Sequence, residues 1–232
     1  MRKMEINDLV WTRLDGRYYL CRVTDLWKNR KPNKEHDVYD IGNYVKVEWL
    51  DIGMEQDVPG KVLSSFRPAA TAQSINGVED ISMYLWDKYS EKKVYNVAAK
   101  NIDFWTVLSA EAIEEIVLLY LQVVKEYHIY SSTVKYAFDT YECLLVNNKG
   151  KRCYPQVKSG DVSLNANDYV KALDFDPDAD IYLFAVSERY KDNGCNNIKY
   201  IYKKELEDFI KQHRNLLPRL TYHWIDLCGF FE

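Results

Sequence analysis

The 232-residue sequence has no excess of positive charge. Its 31 Lys and Arg stand against 35 Asp and Glu, for a net charge of −4. The chain as a whole therefore does not attract nucleic acid, and such a partner requires a local basic patch. Cysteines are few and odd in number: Cys21, Cys143, Cys153, Cys195 and Cys228. Without CxxC spacing they form neither a zinc ribbon nor a disulfide framework, and they read as reduced, intracellular thiols. The four histidines, His36, His128, His213 and His223, have no metal-ligand spacing. There is no GxxxxGK(S/T) or GxGxxG to cradle phosphates, and no GxSxG elbow. No apolar run is long enough to cross a membrane, and the opening MRKMEINDLV lacks the apolar core of a secretory signal. A soluble, cytoplasmic protein with no membrane partner is expected. Internal repeats and low-complexity segments are also missing.

What is present supports real cores: 47% hydrophobic residues, with 19 Tyr and 6 Trp, in a length that suits one large domain or two small ones. Residues 1–70 read as five short strands, at 7–14, 17–26, 43–51, 55–58 and 61–66, with a turn at Asp15-Gly16. That is the size of an SH3-like barrel. Trp11, Tyr18, Tyr19, Trp49 and Phe66 are its large aromatics. Lys28, Arg30, Lys31 and Lys34 make the one dense positive run, a solvated loop on the plain reading and a phosphate contact on the functional one. Residues 71–104 read as a connector with a helix at 78–89.

Residues 105–232 read as a mixed αβ unit. A helix is expected over 109–127, with Ser109 as N-cap and an apolar stripe from Ile113 to Tyr127. Glu114 lies at the edge of that stripe, in line with Val117, Leu121 and Val124. A hairpin follows: 140–146, the turn Asn147-Asn148-Lys149-Gly150, then 152–158. Glu142 interrupts the first arm. Gln156 and Lys158 share one face of the second. A carboxylate, an amide oxygen and an amine at a sheet end can hold a divalent cation and a polarised water. Beyond lie a polar loop, a helix at 167–173, and an acidic loop (174–180) lacking the glycine and closing Glu of an EF-hand. Strands at 180–187 and 198–202 and a helix at 203–214, ending before Pro218, complete the chain. The class is α+β.

On those residues the segment 108–217 resembles the PD-(D/E)XK nuclease superfamily: an acid, thirteen residues, then Gln-x-Lys and a Ser/Gly loop. It is most similar to the Mrr-like branch, where Gln stands for the first acid of the signature. Pro155, inside the strand, departs from the pattern. The resemblance implies an α/β/α restriction-endonuclease-like domain with a mixed sheet, cutting DNA with Mg²⁺ (or Mn²⁺) in restriction or defence. It implies that Glu142 and Gln156 are metal ligands, that Glu114 adds a helix-borne carboxylate, and that Lys158 is the catalytic lysine. DLVWTRLDGRYYLCRV and VKVEWLDIGMEQDVPGKVLSSFRP resemble Tudor or PWWP-type barrels, although Arg17-Tyr18-Tyr19-Leu20 stands where the Pro-Trp-Trp-Pro tetrad lies. That likeness implies an aromatic cage of Trp11, Tyr18, Tyr19, Trp49 and Phe66 for a methylated side chain or modified base. A homodimer is compatible with the sequence. The alternative function is a catalytically inactive nuclease fold that binds or regulates protein partners.

Overall fold

The computed structural model describes residues 4–29, 42–68, 72–133 and 141–231. The chain divides into two compact units, Met1–Val107 and Leu108–Glu232, and is a mixed α+β protein.

In the first unit β1 (Leu9–Leu14) and β2 (Arg17–Val23) form a hairpin in register from Leu9↔Arg22 to Leu14↔Arg17. Its turn is Asp15-Gly16, both at positive φ (50° and 80°), the conformation that suits the twist of a two-residue hairpin. β3 (Lys28–Asn29) pairs with β4 (Asn43–Tyr44), while β5 (Val47–Gly53) adds antiparallel to β2. Three helices follow: α1 (Gly60–Ser65), α2 (Glu79–Tyr89) and α3 (Phe104–Val107). Trp11 Nε1 donates to Ser82 Oγ of α2 at 2.9 Å.

Among the described residues no sheet closes into a barrel. The expected strand at 55–58 is a 3-10 turn, Glu55–Asp57, and the expected strand at 61–66 is α1. The cause is local. Asp57 Oδ2 accepts the Met54 N–H at 3.0 Å and packs on Gly53, whose φ of 130° ends β5. Pro59 then starts a helix.

The second unit opens with α4 (Ala110–Val123), capped by Ser109 Oγ, which accepts the Ala112 N–H at 3.1 Å. The expected helix ran on to 127. Instead Glu126 takes φ 58° and the chain reverses into β6 (Tyr127–Ile129). β7 (Leu145–Asn147) and β8 (Arg152–Lys158) follow, then β9 (Ser163–Asn165), α5 (Lys171–Phe175), β10 (Asp180–Ala185), β11 (Arg189–Lys191) and β12 (Ile198–Tyr200). α6 (Lys203–Gln212) and α7 (Arg219–Cys228) close the unit.

The main sheet has the order β12-β10-β8-β7-β6. β12, β10 and β8 are parallel; β7 and β6 are antiparallel to their neighbours. Ile181, Leu183 and Ala185 face Leu164, Ala166 and Tyr169 on one side. On α4, Tyr120 bonds Glu205 of α6 at 2.7 Å and packs edge-on against Phe209.

Two features set up the ends of this sheet. Asp180 is buried (3% exposed) at the start of β10. Its carboxylate binds Lys151 Nζ and Lys199 Nζ at 2.8 Å each and the Tyr127 hydroxyl at 2.6 Å. Burial would raise this carboxyl, but the Lys151, Lys199 and Tyr127 bonds outweigh it and hold it below the usual range. The second feature is Pro155 in the central strand. Backbone groups alternate along a strand, so Lys158, whose carbonyl accepts the Val186 N–H, faces β10, while Pro155 and Val157 face the other way. On that side the β7 ladder stops at Leu145↔Cys153. Pro155, lacking an N–H, thus falls where only its carbonyl is used, by Glu142 N–H at 2.9 Å. Among the described residues no helix is long and apolar enough to cross a membrane.

Candidate functional site

β8 ends, at Lys158, where the neighbouring strand has dropped away. The Val157 N–H has no ladder carbonyl on that side and donates to Glu142 Oε1 at 3.2 Å. The Gln156 side-chain nitrogen donates to the same oxygen at 2.6 Å and to the Val157 carbonyl at 3.3 Å. A carboxylate thus replaces a missing stretch of sheet.

Glu142, Lys158 and Glu114 line one open cleft of about 280 Å³, walled by Ala110, Val157, Ser159 and Gly160. α4 supplies Glu114 as the helical period predicts: Glu114 is half-buried, whereas Glu115 is exposed. The loop after β8 is tied down from behind. Arg189 Nη2 donates to the Asp161 carbonyl at 2.8 Å and to its carboxylate, and Ser187 Oγ bonds the Val162 carbonyl.

The cleft is short of positive charge. The Glu114 carboxyl is raised above its ordinary value, first by burial, then by the Glu142 and Glu111 carboxylates, against a smaller opposing pull from Lys158. Cys143 is pushed up to about 12 by burial, with Glu114 and Glu142 adding to it. Among the described residues no carboxylate lies within ion-pair distance of the Lys158 ammonium. No group of three or more His, Cys, Asp and Glu is set to hold a metal among those residues. Among the described residues the carboxylate donors in the cleft are two, Glu114 and Glu142. Gln156, expected to offer an amide oxygen, turns its nitrogen to Glu142.

The other expected sites lie in the first unit, and the five expected cage aromatics do not come together. Tyr18 is buried edge-on against Phe66 at 5.5 Å, and Tyr19 meets Trp49, 60% exposed, at 5.8 Å. Tyr18 and Tyr19 are successive strand residues and point to opposite faces, so the five aromatics split into separate groups, with Trp11 bonded to α2. Lys28 is paired with Asp25, which raises its pKa. Arg30, Lys31 and Lys34 lie outside the described residues, as do Thr140 of the hairpin and His36.

Sequence reasoning missed Ala110 and the Ser159-Gly160 wall as lining. Gly160, just past the strand, was the available signal. It missed Asp180 as a hub, for which no local signal exists. No family model matches this chain, and no curated protein or solved structure matches it.

Proposed function

We propose that the second unit is a Mg²⁺- or Mn²⁺-dependent deoxyribonuclease that hydrolyses phosphodiester bonds. The observation that carries this reading is the convergence of Glu114, Glu142 and Lys158, which has no ion pair among the described residues, on one open cleft at the carboxyl end of parallel strands. The two carboxylates fit a hard divalent cation, because they repel each other in the metal-free cleft and Mg²⁺ is commonly held by one or two carboxylates and several waters. Glu114 and Glu142 would hold the ion. When bound, it supplies a Lewis acid for the phosphate and a water of lowered pKa. Lys158 would place its ammonium against the non-bridging phosphate oxygens, where charge grows in the transition state. The α/β/α nuclease-like fold and the restriction or defence setting rest on the sequence resemblance, and a cytoplasmic location rests on the scattered, unpaired cysteines and the opening without a secretory apolar core. The first unit, with its SH3-like resemblance, would dock DNA or read a modification. Its exposed Trp49, packed against the half-buried Tyr19, is the surface that supports this.

The test is plasmid cleavage by the full chain with Mg²⁺, Mn²⁺ or EDTA, parent beside Lys158→Ala. Nicking that needs metal and disappears in the variant is the expected result. Equal nicking by both proteins removes Lys158 from the chemistry. A second reading, an inactive nuclease-like fold that regulates protein partners, is favoured by the presence of only two carboxylates in the cleft among the described residues. It predicts no cleavage with any metal.

A further inference from the structure

The Gln156 amide is 3% exposed and has two neighbours that can only accept hydrogen bonds, Glu142 Oε1 at 2.6 Å and the Val157 carbonyl at 3.3 Å. We propose that Gln156 is a positioning residue and not a metal ligand: with the Val157 N–H it clamps Glu142 by one oxygen and leaves the other for the cleft. This rests on reading the cleft as a metal site.

The orientation of the amide follows from chemistry. Turned over, its oxygen would face a carboxylate and a carbonyl, with no proton between any of them. To bind an ion through oxygen, Gln156 would have to withdraw its nitrogen from Glu142 and break a charge-assisted bond inside the protein. The backbone explains why the clamp is here. Pro155 has no N–H and the β7 ladder has lapsed, so among the described residues Val157 N–H is the one main-chain donor to the Glu142 carboxylate, at 3.2 Å. A single donor leaves a carboxylate free to swing, and the Gln156 amide is the second donor that fixes its plane. Only Oε1 is engaged: among the described residues Oε2 of Glu142 has no hydrogen-bond donor. The side chain must be long enough to reach and must donate. Methionine has the length without the donor. Glutamate would set two carboxylates together.

The experiment reads the amide directly, by ¹⁵N NMR of the full chain, with the Gln156 side-chain signal assigned by its loss in Gln156→Met. The expected signal has one proton shifted well downfield and protected from exchange. It collapses in Glu142→Ala, and it persists when Mg²⁺ is added. A signal indifferent to Glu142→Ala, or one that moves to the position of a free amide as Mg²⁺ binds, overturns the proposal. The second arm is a double-mutant cycle on Mn²⁺ affinity. Gln156→Met should weaken binding about 10-fold in the parent, as lost outer-shell partners do, and less than about 2-fold in a Glu142→Ala background. A loss of equal size in both backgrounds makes Gln156 a direct ligand. If the parent binds neither ion, the hydrolase reading fails, and the metal-free amide signal still decides the clamp.

Discussion

The two ends of β8 and β10 each hold carboxylates and lysines, yet they differ in who is satisfied. At the Asp180 end one buried carboxylate has two ammonium groups and a hydroxyl upon it. Three donors hold its two oxygens, and its carboxyl is held below the usual range. Two ammonium groups already answer its single charge. It ties β6, the turn before β8, β10 and β12 together, which is a structural task. At the other end two carboxylates share a cleft with one lysine that is paired to neither. Glu114 is raised there, and among the described residues one oxygen of Glu142 has no donor. A charged cluster that balances itself holds a fold. One that lacks a cation has room for one.

Breaking the cleft end should show in chemistry and not in stability. Lys158→Ala should lower metal-dependent cleavage by about 10²–10³-fold, the range for losing one preorganised donor at a developing negative charge. Its urea midpoint should stay within the span of an ordinary surface substitution, about 0.5 kcal/mol. A large fall in the midpoint would make Lys158 a structural residue, like its counterparts at the other end.

Breaking the Asp180 end should do the reverse. Asp180→Asn leaves Lys151 and Lys199 without their carboxylate and should cost about 3 kcal/mol, measured by urea unfolding. Cleavage per folded molecule should not change. The pH dependence has a definite sign. The folded-state carboxyl lies below its unfolded value of about 4, so its contribution is complete above that pH and is lost as pH falls through the folded value. The gap between parent and variant should therefore be widest at neutral pH and shrink below about pH 4. A gap that stays constant down to pH 3 would mean that the ionised carboxylate is not the stabilising species.

The cleft end was more legible in the sequence than the Asp180 end, for a physical reason. Glu114 was separated from Glu115 by the helical period, and Gln156 and Lys158 were placed on one face by the strand period. Both are local rules. The Asp180 hub joins residues up to 53 positions apart, and no short-range pattern announces it. Tyr127 extends the apolar stripe, and the helical period therefore includes it in the helix. In the structure it begins β6 and gives its hydroxyl to Asp180. Pro218 marks a helix end in the sequence, yet in the structure it is the N-cap of α7, since proline both ends one helix and suits the start of the next. In the first unit the strand pattern at 55–66 was overruled by the Asp57 cap and by Pro59. The turn of the Gln156 amide was not legible at all, because it depends on which acceptors surround it.

The smallest expected effect sharpens the comparison most. Glu114 and Glu115 are adjacent acids on α4, one in the cleft and one in water. The Glu114 carboxyl is raised in the folded protein by burial first and by Glu142 and Glu111 next. Its ionised form therefore costs stability as pH rises above the unfolded value of about 4.3, and the cost is complete above the folded value. Glu114→Gln removes that cost, so the metal-free variant should melt slightly higher than the parent at pH 7, by no more than about 2 °C. The two should coincide at pH 4. Added Mg²⁺ should then invert the order, because binding stabilises only the protein that retains its ligand. Glu115→Gln should leave both melting curves where they were. If Glu114→Gln and Glu115→Gln behave alike with and without Mg²⁺, the cleft carboxylates are an ordinary solvated surface, and the contrast with Asp180 is one of burial alone.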